Sequence, residues 1–197
     1  DLAVQIDGAL VLAGRSRQTS GADTIDYVTL TRLDGVTGAA DGAFGTAGTV
    51  TFLPGLSAAN GGGGDGQALA IQPLDQKILV AGTWKADAAA ESQVFVARFD
   101  ATGTLDGTFG TAGFVLLTPA GVTSPSGNAI ALRSDGSIIV VGTGTASGAS
   151  VGFVTGLTST GDPIPGFADA IVQDPLGSAG ANFGFNAVAI LAGDGIL

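Results

Sequence analysis

Four side chains in this sequence carry distinctive recognition chemistry: Arg15, Arg17, Trp84 and Lys85. Trp84 is the only tryptophan and stands beside Lys85 at the end of an apolar run, where it could stack on a sugar ring or a partner side chain. The plainer reading of Trp84 is a rim residue covering a strand edge. Reactive groups are otherwise few. The chain has no histidine and no cysteine, which removes imidazole acid–base chemistry, disulfides and Cys/His metal sites from this segment. A serine triad lacks its base. The single glutamate, Glu91, falls in a loop, and no aspartate falls inside a run expected to line a central channel, so no carboxylate pair is placed for acid–base hydrolysis. No catalytic residue is assigned, and the chain is read as a non-enzyme.

Cofactor motifs are equally sparse. Calcium needs six to eight oxygens from closely spaced ligands. No Asp-x-Asp-x-Asp run occurs, and the closest loop pair is Asp23 and Asp26. Structural calcium is the one cofactor the aspartate content leaves open, and no metal ligand is assigned. The segment Asn60–Gly66 is glycine-rich but lacks the Gly-Lys-Ser/Thr of a phosphate loop, and Gly142-Thr143-Gly144 leads into a strand rather than a helix. The first of these reads as a flexible link.

Charge narrows the partners. Seventeen acidic residues face 7 basic ones, for a net charge of −10, and no basic residue follows Arg133. Such a chain is repelled by nucleic acid and anionic membrane. Its two long uncharged stretches are broken by Gly, Ser, Thr and, in the first, Pro119 and Pro125, so neither reads as a membrane span. Few charges and many Gly, Ala and Thr suit a secreted or cell-surface β-protein.

The elements that must position these residues repeat. Val11-Leu12-Ala13-Gly14 returns as Leu79-Val80-Ala81-Gly82 and as Ile139-Val140-Val141-Gly142. Asp41-Gly42-Ala43-Phe44-Gly45-Thr46-Ala47-Gly48 returns as Asp106-Gly107-Thr108-Phe109-Gly110-Thr111-Ala112-Gly113, with a worn third copy at Gly166-Phe167-Ala168-Asp169. The interval is roughly 60 residues, the mark of a modular array. Each copy offers four short apolar runs of strand length. In the second copy these are Ala68–Ile71, Lys77–Trp84, Gln93–Phe99 and Gly113–Leu117. The first offers Leu2–Ile6, Ala9–Gly14, Asp26–Leu33 and Gly48–Phe52, and the third Asn128–Arg133, Ser137–Gly142, Val151–Leu157 and Ala168–Gln173. Seven Asp-Gly pairs supply tight-turn signals.

Four antiparallel strands per copy predict an all-β fold, a β-propeller built of four-stranded antiparallel blades. The blades are expected at residues 1–66, 67–127 and 128–185, with the start of a fourth at 186–197. Such an array is expected to be part of a larger propeller, completed by further chain or by self-assembly. A stacked β-solenoid is the runner-up.

The run Ala70-Ile71-Gln72-Pro73, then Lys77–Gly82, then Phe95-Val96-Ala97-Arg98-Phe99-Asp100 through Gly113 resembles the delta-60 repeat of bacterial proteins. The likeness is best over residues 67–117. It implies a propeller array in a large secreted or surface protein, and it carries no catalytic residues. Copy three departs from it, with Gly156 and Ile164 where copy two has Arg98 and Asp106. An Arg98–Asp106 ion pair is expected in copy two and absent from copy three.

In such blades the first and third connections share one end and carry the repeated turns. The second connections (15–22, 85–92, 143–150) and the inter-blade links (54–66, 118–127, 174–183) share the other end and vary. Binding groups concentrate on variable loops of a rigid scaffold, so the binding site is expected on the irregular-loop face with Arg15, Arg17, Trp84 and Lys85. The expected function is a non-enzymatic scaffold or recognition module that binds another protein or a surface polysaccharide. The alternatives are a structural subunit of an extracellular assembly and part of a glycan-active propeller enzyme.

Overall fold

The structure is a computed structural model and describes residues 1–55, 59, 61–173 and 183–197. The described residues form twelve strands and no helix. In chain order they are β1 (Leu2–Val4), β2 (Leu10–Ser20), β3 (Asp23–Leu33), β4 (Thr49–Phe52), β5 (Gly63–Ile71), β6 (Ile78–Lys85), β7 (Gln93–Phe99), β8 (Phe114–Leu117), β9 (Thr123–Leu132), β10 (Ile138–Ala146), β11 (Ala149–Leu157) and β12 (Ala170–Gln173). Sequential neighbours pair antiparallel in three meanders, β1–β4, β5–β8 and β9–β12. The first two are joined by one parallel bridge, Asp26 to Gly63. The sheets do not close on themselves.

Alternation along the strands builds the core. In β6, Ile78 and Val80 enter one apolar cluster with Val11, Val28 and Leu30, while Leu79 and Ala81 enter another with Ile138, Val140 and Phe153. In β7, Phe95, Ala97 and Phe99 face the first cluster and Val94 and Val96 the second. The middle meander is therefore buried on both faces, which explains its unbroken β-branched and aromatic runs. Residues 183–197 lie against the third meander: Phe185 N–H donates to Gly142 O at 3.3 Å, and Asn128 Nδ2 donates to Phe185 O at 2.9 Å.

The repeated motifs bind successive copies together. In Asp41–Gly48, Gly45, Ala47 and Gly48 have positive φ, as do Gly110, Ala112 and Gly113 in the second copy. Glycine removes the steric penalty at the first and last of these positions. Phe44 and Phe109 are fully buried. Gly45 N–H donates to Thr102 O of the following copy at 2.9 Å, and Gly110 N–H donates to Thr160 O of the copy after that at 2.8 Å. The motif is a clamp between neighbours.

Three expectations from the sequence need correction. The connections expected over 15–22 and 143–150 are mostly strand. β2 and β3 run to the two-residue turn Gly21-Ala22, and β10 and β11 to Ser147-Gly148. The glycine run after residue 60 is not a flexible link: Gly61 N–H donates to Thr24 O at 2.7 Å, Asp26 N–H donates to Gly62 O at 3.1 Å, and β5 starts at Gly63. Over 186–197, where the start of a fourth blade is expected, the structure forms only an isolated bridge, Ile190 to Ile196, closing a turn. The links 54–66 and 174–183 lie partly outside the described residues.

Candidate functional site

Arg15 and Arg17 lie within β2, not in a loop, and Trp84 and Lys85 end β6. The structure brings Arg15 and Lys85 to one cleft of about 270 Å³, lined also by Asp26, Asp65, Gln67 and Ser126, with Gly61–Gly64 as a wall. The glycines are required there. A Cβ on Gly63 would stand 2.0 Å from Asp26 O, and one on Gly62 would stand 2.5 Å from Ala86 O.

Arg17 holds Asp26 through two bonds, Nε to Oδ1 at 2.7 Å and Nη2 to Oδ2 at 2.9 Å. Arg15 Nη1 lies 3.4 Å from Asp26 Oδ2 and 3.9 Å from Asp65 Oδ2. The Arg17 hydrogen bond, opposed by burial and aided by the nearby Arg15 charge, holds the Asp26 carboxyl below its usual range. Asp26 is thus an anion engaged by Arg17. Among the described residues no three His, Cys, Asp or Glu side chains group as metal ligands.

The cleft floor is a belt of neutral polar side chains that crosses from one meander to the next. Thr83 Oγ1 donates to Ser126 Oγ at 2.8 Å, and Ser126 Oγ lies 2.9 Å from Gln67 Oε1. Asn128 Nδ2 continues the belt to Thr143 Oγ1 at 2.8 Å. Sequence reasoning missed Gln67, Ser126 and Asn128. The signal was there: a side-chain amide stands at matching repeat positions in the first strands of the second and third copies, Gln67 and Asn128.

Trp84 has a different role. Its ring packs on the apolar cluster of the first and second meanders, over Gly55, where a Cβ would sit 2.9 Å from the indole. Its Nε1 is buried with no hydrogen-bond partner among the described residues. Trp84 is thus half-buried against the cluster of the first two meanders.

A larger hollow of about 570 Å³ opens beside Asp7, Arg32, Val36 and Asp41. Its guanidinium is already engaged: Arg32 donates to Asp41, Asp7 and, at 2.6 Å, Gln5 Oε1. We therefore place the candidate site at the smaller cleft, where Lys85 has no carboxylate partner among the described residues.

Away from the cleft, the ion pair expected in copy two is present. Arg98 Nε donates to Asp106 Oδ2 at 2.7 Å, with Lys77 Nζ 3.0 Å from the same oxygen. In copy three the same space is apolar, since a Cβ on Gly156 would meet Ile164 and Phe167.

A family described as "Domain of unknown function (DUF5122) beta-propeller" matches residues 75–109. These residues run from the turn before β6 through β6 and β7 to the Phe109 clamp. The match supports a β-propeller-like repeat, and it fits described residues that are all strand and loop. No curated protein and no solved structure matches the chain.

Proposed function

We propose that this chain forms part of a β-propeller of four-stranded blades and serves as a non-enzymatic scaffold and recognition module of a secreted or cell-surface protein, related to the delta-60 repeats. The cleft at Arg15, Asp65, Gln67 and Lys85 would hold a polar segment of another protein or of a surface polysaccharide. One observation carries this reading. The side chains that repeat between copies, Phe44 and Phe109 with their glycines and Arg32–Asp41 with Arg98–Asp106, are engaged in contacts within and between copies. At the cleft the copies differ: Arg15 stands where the other copies have Thr83 and Thr143, Asp65 where the third has Ser126, and Lys85 where the third has Thr145. A scaffold with a variable polar surface is the arrangement that binding modules use.

The test is a screen of glycans and surface proteins for both binding and turnover. Binding without turnover is expected, and Lys85→Ala should weaken it about tenfold, the loss of one charge-assisted hydrogen bond, with an unchanged melting temperature. Hydrolysis of a polysaccharide by this chain would overturn the reading.

A further inference from the structure

Neighbouring copies meet at the turns that lead from their first to their second strands. Between the first and second copies this seam is closed: Gln5 Nε2 donates to Gln76 O at 3.2 Å, and Ile6 N–H donates to Gln76 Oε1 at 2.8 Å. Between the third copy and residues 186–197 it is closed again. Ser134 N–H donates to Asp194 Oδ1 at 2.8 Å, and Ser134 Oγ donates to Asp194 Oδ2 at 2.6 Å. Between the second and third copies, no hydrogen bond among the described residues joins turn 72–77 to turn 133–137. A cleft of about 400 Å³ opens at that seam, lined by Gln72, Pro73, Leu74, Leu132, Arg133 and Ser159.

The cleft holds an arginine that has changed strand. At the position of Arg133 the first and second copies carry Gln5 and Gln72. Their own arginines, Arg32 and Arg98, stand on the third strand, where the third copy has Gly156. Arg133 still covers the clamp phenylalanine. Its guanidinium carbon lies 5.5 Å from the Phe167 ring centre, against 4.9 Å for Arg98 over Phe109. The carboxylate has not followed: Ile164 stands where the second copy has Asp106. Arg133 makes no ion pair among the described residues. Its Nε is buried without a hydrogen-bond partner, and so is Gln72 Oε1. A donor and an acceptor left unmade at one apolar cleft suit a ligand that supplies both partners.

We propose that this seam binds the C-terminus of a partner polypeptide whose last side chain is apolar. The α-carboxylate pairs with the Arg133 guanidinium, whose planar fork suits a carboxylate. The last peptide N–H donates to Gln72 Oε1, and the last side chain lies against Pro73, Leu74 and Leu132. Leu74 is the extra residue of the longer second-copy turn and is fully exposed, so an apolar ligand group removes it from water. Asp75 and Asp135 on the rim disfavour a polyanion, and they are held by Lys77 at 3.4 Å and by the Ser137 N–H at 2.8 Å. An aliphatic acid without an amide would leave Gln72 Oε1 unpaired.

The site lies at the opposite end of β6 from Lys85 and does not depend on the Arg15–Lys85 cleft. The probes are N-acetyl-alanyl-leucine, its C-terminal amide and isocaproate, each titrated into the 197-residue protein. NMR follows the backbone amides of Ser134, Gly136 and Ser159, which line the cleft. The dipeptide acid is expected to shift them saturably. Its amide should bind about tenfold more weakly, the loss of one charge-assisted hydrogen bond. Isocaproate, which lacks the N–H, should bind about threefold more weakly. Arg133→Gln installs the residue that the other copies carry and should remove the preference for acid over amide. Leu74→Ser, at a fully exposed position, should weaken acid and amide alike with an unchanged melting temperature. Lys85→Ala should bind the acid as the wild type does, which separates this site from the cleft. The proposal is overturned by unshifted amides at high dipeptide concentration, by equal affinity for acid and amide, by equal affinity for isocaproate, or by an undiminished acid preference in Arg133→Gln.

Discussion

Arg98 shows how one residue joins two copies. Its guanidinium reaches Asp106 within its own copy, donates to Ser159 O of the next at 2.7 Å, and lies 4.9 Å from the Phe109 ring centre. Arg98 and Asp106 side chains are only 8% and 11% exposed, so solvent screens them little. Removing one partner from such a pair typically costs about 3–5 kcal/mol, because the other charge stays buried. The Lys77 contact places Arg98→Ala at the lower end of that range. Copy three marks the alternative, with Gly156 and Ile164 in apolar contact. The double variant Arg98→Leu/Asp106→Ile is therefore expected to recover most of the loss in urea unfolding, since apolar replacement of a buried pair is often neutral. Burial alone would raise the Asp106 carboxyl, but the Thr108 hydroxyl, the Lys77 ammonium, the Thr108 amide and Arg98 outweigh it and hold it well below the usual range. A carboxyl lowered by folding stabilises the protein above its unfolded pKa near about 4, and this stabilisation is lost as pH falls through the folded value. The urea midpoint of the wild type should fall on going from pH 6 to about pH 3. Asp106→Asn should fall by less. An equal fall in both would remove Asp106 from the acid response.

At the scale of elements, the same repeated glycine has two different consequences. Gly82→Ala and Gly142→Ala force a Cβ into the carbonyl of the adjoining strand. Each is expected to cost more than about 2 kcal/mol in urea unfolding, because backbone cannot yield as a side-chain tip can. Gly14→Ala should cost nothing, since its Cβ meets open space. Equal costs at all three positions would show that the glycines serve the turns and not the strand approach. The triplet was legible in the sequence as a repeat; its purpose was not, because a close approach depends on the partner strand. The same limit hid the ends of β2 and β10. Arg15–Ser20 is polar throughout and carries no apolar alternation, so nothing in its own residues marks it as strand. Its pairing with β3, residue by residue from Arg15–Val28 to Ser20–Asp23, decides it. Apolar runs such as Gln93–Phe99 needed no such help, because burial on both faces is written into their composition. Of the expected site residues, Arg15 and Lys85 share the cleft, Arg17 reaches it through Asp26, and Trp84 lies half-buried against the first two meanders. Charge type was readable from the sequence; which face each side chain takes was set by register.

Over the whole molecule, stability should follow position in the array. The second meander is sandwiched: β5 packs on β1, β2 and β3, while β9 packs on β5, β6 and β7. Among the described residues nothing packs on the outer face of the first meander, and Leu2, Val4, Ile6 and Val36 are exposed, Val36 at 95%. The clamp position records the same asymmetry. A Cβ on Gly103 would meet the Phe44 ring at 2.9 Å and one on Gly161 would meet Gly110 N at 3.0 Å, whereas Gly38, in the matching turn of the first copy, has nothing within 4 Å. In a repeat array each unit draws stability from its own fold and from its neighbours, and local opening starts where neighbours are fewest. Native-state hydrogen exchange should therefore be slowest in β6 and β7, whose residues Ile78–Ala81 and Val94–Ala97 are buried. It should be fastest in β1 and in β12, which is exposed along its length. Phe109→Ala removes a fully buried ring from the clamp between the second and third copies, a change that typically costs about 3–5 kcal/mol. If the clamp couples these copies, exchange in β9–β11 should accelerate together in this variant while β2 and β3 keep their rates. Uniform acceleration across all three meanders would instead mean that the array opens as a single unit.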